Sequence, residues 1–257
     1  MAIGERVSSV NPALSECGFT SEVISVRHFF GTRQVPVDVQ SSIQLGEVTI
    51  GTPSFPCIAS VKQIHSTRVV VFDGPVKIGV MTEGEADALV TNQPNLLLVV
   101  RTADCAPVLL VDHKTGVIGA IHAGWRGAVG GIVPTTIQAC VEQCGADVAQ
   151  MQVAIGPSIG SCCYEVDAPV IEPLQKGYPA WLGVLQETTA GKAMLDLKKL
   201  IWHQILASGI PEHQVERMEH CTSCRDDLFF SYRREGKVNG TMLSGIMLAP
   251  ETVQRQS

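Results

Sequence analysis

Short apolar runs separated by turn residues fill the middle of the chain and predict β-strands. Between residues 86 and 122 the runs are ALVT, LLLVVR, PVLLVD and VIGAIH, and a polar turn at residues 113–116 separates the last two. Apolar runs of about 4–8 residues between Gly, Pro, Asn and Asp are typical of strands. A further buried strand is predicted at MQVAIG, residues 151–156.

Two segments have helical periodicity instead. A helix is predicted from about residue 127 to 144, where Ile137, Cys140, Val141 and Cys144 form an i, i+3, i+4, i+7 stripe. We therefore expect Cys140 and Cys144 to pack as small hydrophobic residues. A second apolar stripe runs from residue 197 to 205 and ends at Ser-Gly-Ile-Pro, a common helix stop. Towards the C-terminus, VERMEH and TMLSGIML predict strands on either side of a more helical DDLFFSYRR.

This order of elements predicts an α/β (mixed α+β) fold. We expect a single layered domain over residues 1–257, in which mixed β-sheets are flanked by helices. The pairing should be mixed because several connections are too short for the crossovers of an all-parallel sheet. No linker-like stretch, charge block or repeat divides the chain, which favours one domain.

Composition excludes several classes of partner. The net charge of −6 gives no general attraction for nucleic acid or an anionic membrane surface. The first residues lack the basic and apolar regions of a signal peptide, and no run approaches the ~20 apolar residues of a membrane span. We therefore expect a cytoplasmic protein, in which the nine cysteines are mostly reduced thiols.

Three residues suggest a metal site. His65 lies in KQIHSTRVVV at the start of a predicted strand, Cys105 lies in the TADCAP loop between two strands, and His122 ends a strand before a helix. Two imidazoles and one thiolate suit Zn²⁺, and three protein ligands leave the open position of a catalytic site. Because residues so far apart carry no spacing signal, the pattern alone favours unconnected packing residues.

The HAGWRG segment after this strand suggests an anion site. A helix N-terminus offers N–H groups and a positive dipole, and Arg126 would complete a phosphate site. A tight turn at Gly124 and Gly127, with Arg126 in solvent and Trp125 packed, explains the same residues equally well.

Six motifs in order resemble the YfiH/YlmD family of polyphenol oxidase or laccase-domain proteins, also known as purine nucleoside phosphorylases. The motifs are KQIHS, EADALVTN, RTADCAPVLLVD, IGAIHAGWRG, AIGPSIGSCCYEV and FFSYRREG. The resemblance implies a single layered α/β domain and a catalytic zinc bound by His65, Cys105 and His122. In residues 28–53 only a Phe…Thr-Arg fragment ending at Arg33 matches the family, which leaves part of the substrate rim undefined.

The resemblance also implies the reaction. A purine nucleoside phosphorylase would convert adenosine or inosine and phosphate into base and ribose 1-phosphate, with adenosine deaminase and methylthioadenosine phosphorylase as further activities. The three metal ligands would then be catalytic, together with Arg126, whose role rests on its position at the predicted helix start and not on the resemblance. The expected partners are a small purine nucleoside and phosphate, and no nucleic acid or membrane. The protein is expected to be a monomer or a weak homodimer.

Other functions remain open at this point. A copper-dependent polyphenol oxidase is disfavoured because the chain has seven histidines and no His-x-His pair for a multicopper centre. A hydrolase acting on a cell-wall precursor would use Cys105, or Ser158 in the G-x-S-x-G pattern of residues 156–160, as nucleophile. A binding module without turnover is the non-enzymatic alternative.

The C-x-x-C pair at Cys221 and Cys224 has no obvious second pair for a structural zinc. The adjacent Cys162 and Cys163 are not expected to reach one ion together. The sequence therefore predicts that Cys221 and Cys224 are dispensable for metal binding.

Overall fold

Two six-stranded sheets form the centre of the molecule. A computed structural model describes residues 18–34, 48–49, 54–55, 57–77, 79–178 and 183–249. The strands of the first sheet are β1 (Gly18–Phe19), β2 (Arg27–Gly31), β5 (Cys57–Lys62), β7 (Gly79–Glu85), β9 (Leu97–Thr102) and β17 (Met242–Met247). Their order across the sheet is β1-β2-β17-β9-β5-β7, and the pairing is antiparallel from β1 to β9 and parallel from β9 to β7.

The second sheet has an antiparallel centre and parallel edges. Its strands are β6 (Val69–Val71), β8 (Ala88–Thr91), β10 (Ala106–Asp112), β11 (Val117–Ala123), β12 (Met151–Ile155) and β16 (Val215–Arg217), in the order β16-β12-β10-β11-β8-β6. β10 and β11 are antiparallel neighbours, whereas β16 and β6 pair in parallel with β12 and β8. The smaller pairings join β13 (Glu165–Val166), β14 (Leu185–Glu187) and β15 (Ala193–Leu195), and join β3 (Val48–Thr49) to β4 (Ser54–Phe55).

The helices are α1 (Trp125–Gly130), α2 (Ile132–Cys144), α3 (Ala168–Gly177), α4 (Leu197–Ala207) and α5 (Tyr232–Glu235). The continuous helix predicted from residue 127 is wrong at its start, because Gly131 interrupts it. Gly131 has a φ of 87°, a left-handed conformation that glycine adopts without strain, and its N–H bonds to the Ala128 carbonyl to end α1.

The layers follow from the strand sequences. In β10, Leu109 and Val111 face the first sheet and pack in one cluster with Leu98, whereas Val108 and Leu110 face the helices. Both faces of this strand are buried, which explains why its sequence is continuously apolar rather than alternating. The result is a sheet, sheet and helix arrangement, so the predicted mixed α/β fold is confirmed.

Most predicted strands are present, and the main differences lie at the C-terminus. VERMEH forms a strand only at Val215–Arg217, and DDLFFSYRR is helical only at Tyr232–Glu235, with turns before it. The helix α4 ends at the predicted stop, and in α2 Cys140 is buried and Cys144 half-buried. Residues 35–47 and 50–53 of the shortened rim segment lie outside the described residues.

The single-domain boundary at 1–257 stays a prediction. Among the described residues, no helix has both the length and the apolar character needed to cross a membrane.

Gly156, directly after β12, provides a test of the packing between layers. A Cβ at Gly156 would lie 2.2 Å from Cδ1 of Phe30, a ring that is fully buried. We expect Gly156→Ala to lower the free energy of unfolding by about 1–3 kcal/mol, because the ring has no free space to enter. Urea denaturation measures this change. Gly177→Ala, at the end of α3 with no atom within 4 Å of the added Cβ, is the control and should change stability by less than about 1 kcal/mol; equal losses would contradict the packing argument.

Candidate metal and catalytic site

The three sequence-predicted ligands converge. One ligand atom from each of His65, Cys105 and His122 lies within 4.8 Å of the others. The Sγ of Cys105 is 3.8 Å from Nε2 of His65, and the two imidazole rings are 4.9 Å apart at an angle of 81°. The structure therefore brings together the residues that sequence spacing alone left unconnected.

Strand register and chain turns produce this convergence. Pro107 in β10 pairs with His122 in β11, so Cys105, just before β10, lies beside the end of β11. His65 comes from the loop between β5 and β6, and is not at the start of a strand as predicted. The backbone of Gly124 lies directly against two of the ligands, because a Cβ there would be 2.9 Å from both Cys105 Sγ and His65 Cδ2. Only glycine allows the backbone to approach the ligands this closely.

Asp87 is the residue that orients two of the ligands, and its side chain is fully buried. Its carboxylate accepts hydrogen bonds from His122 Nδ1 at 2.8 Å, from the backbone N–H groups of His65 and Ser66 at 2.9 and 2.6 Å, and from the Ser66 hydroxyl at 2.7 Å. Because Nδ1 donates to Asp87, Nε2 is the ring nitrogen of His122 that faces the site, where a bound metal would take the place of its proton. The bonds to residues 65 and 66 also hold His65 in its left-handed conformation, at a φ of 60°.

The same contacts set the charges of the site. Burial raises the pKa of Asp87, but hydrogen bonds from His122 and from Ser66 outweigh it and hold that pKa well below its usual range. Burial also raises the pKa of Cys105, but hydrogen bonds from His122 and His65 lower it to about 7. Burial lowers the pKa of His122, and the bonds to Asp87 and Cys105 raise it to about 9. Even without a metal, the surroundings of Cys105 therefore favour a thiolate.

Asp104 fastens the Cys105 loop to the C-terminal part of the chain. It has a φ of 86°, and its buried carboxylate accepts hydrogen bonds from Thr222 Oγ1 at 2.7 Å and from the Arg233 N–H at 2.6 Å. The loop that carries the Cys105 thiol is thus held by two segments of the C-terminal part, one containing Thr222 and the other Arg233.

Arg126 and Arg233 are the arginines to consider for an anion site, and each stacks on an aromatic ring. The Arg126 side chain is exposed, and its guanidinium stacks 4.3 Å from the Trp125 ring centroid. The guanidinium of Arg233 lies 5.3 Å from the Tyr164 ring centroid. Burial raises the pKa of Tyr164, the charge of Cys105 raises it further, and Arg233 and Arg126 lower it. The phenol is therefore within electrostatic reach of the thiolate and of both guanidinium groups.

Two further residues named from the sequence have other surroundings: Arg33, which ends the fragment that matches the family and is a second arginine to consider for the anion, and Ser158, the serine of the G-x-S-x-G pattern. Arg33 donates to the Asp226 carbonyl at 2.7 Å and stacks 4.7 Å from the Phe230 ring, so its guanidinium is held by the loop before α5. Ser158 is fully buried, and a turn at residues 161–163 follows it rather than a helix. Ser158 therefore does not form the exposed strand-to-helix turn that a serine nucleophile requires.

The cysteine expectation needs correction. The Sγ atoms of Cys162, Cys163, Cys221 and Cys224 all lie within 4.8 Å of one another, so the adjacent pair does reach the C-x-x-C pair. The turn at residues 161–163 directs both neighbouring thiols the same way, and a β-bridge between Ser158 and Cys221 joins the two segments.

Sequence reasoning missed the residues that support the ligands: Asp87, Asp104, Thr222 and Arg233. Asp87 carried one usable signal, because an aspartate that directly precedes a buried apolar strand is rarely buried without a partner. Asp104 and Arg233 lie inside two of the family motifs, but their role, like that of Thr222, depends on contacts between distant segments that the motifs do not show.

Comparisons with known proteins agree on one family. Residues 28–249 match the model of the family described as multi-copper polyphenol oxidoreductase laccase. Adenosine deaminase RL5, from an unknown prokaryotic organism, is 37% identical over 191 residues, which cover 72% of each protein. A purine nucleoside phosphorylase of Bacteroides thetaiotaomicron is 43% identical over 163 residues, 63% of this chain and 60% of that protein. This chain therefore spans about three fifths of the length of that phosphorylase.

A solved structure has the same architecture. The crystal structure of the hypothetical protein YfiH from Bacillus licheniformis superposes with a TM-score of 0.78 and 27% identity. The match covers 88% of this chain and 94% of the other. The layered arrangement described above is therefore shared with a known fold.

The role of Asp87 is testable through metal affinity. We expect Asp87→Asn to weaken zinc binding about 10–100-fold, because His122 loses the carboxylate that fixes its orientation. Competition with a chromophoric chelator measures the affinity.

Asp112→Asn is the matched control. Asp112 is equally buried, accepts bonds from the Lys114 and Asp147 N–H groups, and lies at the opposite end of β10 from Cys105. This variant should lose stability but keep its zinc affinity. A similar loss of affinity in both variants would show that Asp87 acts only through the stability of the fold.

Proposed function

The chain belongs to the family described as multi-copper polyphenol oxidoreductase laccase, and within this family we propose that it is a zinc-dependent purine nucleoside phosphorylase. The reaction would convert adenosine or inosine and phosphate into the free base and ribose 1-phosphate. The observation that carries the proposal is the convergence of His65, Cys105 and His122. The similarity to the Bacteroides phosphorylase supports the choice of substrates.

The donor set fits a catalytic zinc. Two imidazole nitrogens and a thiolate sulfur match the softness of Zn²⁺, and Gly124 leaves the space between Cys105 and His65 free of a side chain. When bound, zinc would supply an open Lewis-acid position next to the substrate. The buried Asp87 keeps His122 in the tautomer that such a site requires.

The protein's own groups would bind and orient phosphate. Arg126 is exposed at the start of α1, and its stacking on Trp125 limits the conformations of its guanidinium. Arg233 is held by its bond from Nη2 to the Glu165 carbonyl and faces the Tyr164 ring. Two guanidinium groups can offer paired hydrogen bonds to phosphate oxygens, which a single lysine cannot. Arg126 remains the first candidate, and Arg233 is an addition from the structure.

Hydrolytic deamination of adenosine is a second candidate activity, favoured by the similarity to adenosine deaminase RL5. Copper-dependent phenol oxidation fits the residues less well. A multicopper centre needs a histidine-rich cluster, and among the described residues the three-residue site holds only two histidines.

The reaction itself gives the first test. Zinc-loaded protein incubated with adenosine or inosine should release base and ribose 1-phosphate only when phosphate is present, as resolved by chromatography. Cys105→Ala should lose the zinc of this site together with the turnover, because it removes the thiolate ligand. Base release that does not depend on phosphate would replace phosphorolysis by hydrolysis, and phenol oxidation that depends on added copper would favour the oxidase.

A second test concerns the anion site. We expect Arg126→Ala to raise the KM for phosphate at least tenfold with unchanged zinc content, because a charge-assisted bidentate contact is worth about 1.5–3 kcal/mol. Arg27→Ala removes an exposed arginine from β2. Arg27 pairs with Met247, at the opposite end of β17 from the residue that pairs with Thr102, and Thr102 is the strand residue that leads into the Cys105 loop. This control should leave the KM unchanged. A KM that rises for the nucleoside but not for phosphate would remove Arg126 from the anion site.

A further inference from the structure

The second group of metal-compatible side chains lies outside the proposed catalytic site. Cys162 and Cys163 follow the Gly156–Gly160 loop, and Cys221 and Cys224 follow β16, yet their four Sγ atoms all lie within 4.8 Å of one another. We propose that these four thiolates bind a second Zn²⁺ in a closed, structural site. This inference does not depend on the reaction that the chain catalyses.

The sulfur spacing fits one tetrahedral ion. Cys224 Sγ is 3.5 Å from Cys162 Sγ and 3.4 Å from Cys163 Sγ. Four sulfurs that each bind zinc at about 2.3 Å lie about 3.8 Å apart in a tetrahedron. The thiols therefore need only small adjustments to bind an ion, and four cysteine ligands leave no open position for substrate.

The two segments are held together independently of a metal. Ser158 and Cys221 form a β-bridge, and the Thr222 N–H donates to the Ser158 carbonyl at 3.0 Å. The Gly160 N–H donates to Cys221 Sγ at 3.2 Å, a bond that orients the sulfur and stabilises its thiolate. A Cβ at Gly160 would lie 3.2 Å from both Cys162 Sγ and Cys221 Cβ, so this position accommodates little beyond glycine.

Two basic side chains bind the backbone next to the cluster, and one of them, Arg234, also pairs with Glu235 at 2.9 Å. Zn²⁺ with four thiolates carries a net double negative charge, which a partly buried site must offset. The buried Lys198 ammonium donates to the Met218 and His220 carbonyls at 2.7 and 3.0 Å, directly before Cys221. Arg234 donates to the Thr222 and Ser223 carbonyls inside the C-x-x-C loop at 2.9 and 3.1 Å. Two cations are therefore fixed against the backbone that carries the thiolates.

The cluster is connected to the first site. Thr222, inside the C-x-x-C loop, donates to Asp104, whose neighbour is Cys105. Tyr164, which follows Cys163, is within electrostatic reach of Cys105. A second zinc would thus fix both the loop that holds Asp104 and the segment that carries Tyr164. Its role would be to position the first site rather than to contact substrate.

Metal content of the full chain, purified under reducing conditions without chelators, tests the proposal. Mass spectrometry of the elements should give two zinc ions per wild-type chain. Cys221→Ala/Cys224→Ala and Cys162→Ala/Cys163→Ala should each give one, because each removes half of the ligands. Cys140→Ala/Cys144→Ala is the control and should keep two, since these residues lie on α2, outside both groups.

The Cys105→Ala variant provides the second measurement, which does not require that a cluster variant folds. It should retain one zinc, and X-ray absorption at the zinc edge should show four sulfur neighbours at about 2.3 Å. A Cys105→Ala chain without zinc, or a retained zinc with nitrogen neighbours, would overturn the proposal. Iron or copper in place of this zinc, or disulfides detected by intact mass, would overturn it as well. Loss of turnover in Cys105→Ala with four-sulfur zinc retained separates this site from the catalytic one.

Discussion

One buried carboxylate holds the candidate metal site together. Asp87 accepts hydrogen bonds from the imidazole of His122 and from the backbone that carries His65, so two ligands from separate segments share one anchor. A buried charge is tolerated only when it is fully hydrogen-bonded. Here the donors include the His122 ring and the His65 N–H, which belong to residues that must be held in fixed positions to bind a metal. The same hydrogen bonds therefore stabilise the buried carboxylate and fix the positions of the two ligands.

The layered fold supplies the frame for this anchor. β10 and β11 are buried on both faces, so their ends are rigid where they deliver Cys105 and His122. The loops at these ends then carry unusual backbone conformations, at His65 and Asp104, that side-chain hydrogen bonds offset. The buried strands and the loops with positive φ together bring the ligand atoms of His65, Cys105 and His122 within 4.8 Å of one another, which regular secondary structure alone does not do.

The sequence predicted what is local and left open what is not. The strands of residues 88–122 were predictable because their burial appears directly as apolar runs. The helix break at Gly131 was missed because the apolar periodicity continues across it. The roles of His65, Cys105 and His122 came from family motifs, since 40 positions separate His65 from Cys105. The four-cysteine cluster was missed because the adjacent Cys162 and Cys163 were not expected to reach one ion together, and the bridge between Ser158 and Cys221 that joins the two segments has no local signal.

The long separation of the ligands has a consequence for the order of assembly during biosynthesis. Cys162 and Cys224 are 62 positions apart. The three-residue group forms only when the β5–β6 loop meets the ends of β10 and β11, and the four-cysteine group forms only when the segment after β12 meets the segment after β16. A newly synthesised or unfolded chain offers a metal at most two thiols at a time, so it competes poorly with cellular chelators. Any ion at these positions would bind the folded state selectively and stabilise it by a free energy that rises with the logarithm of the free metal concentration. The metal supply would then act on the stability of the folded chain and not only on its chemistry.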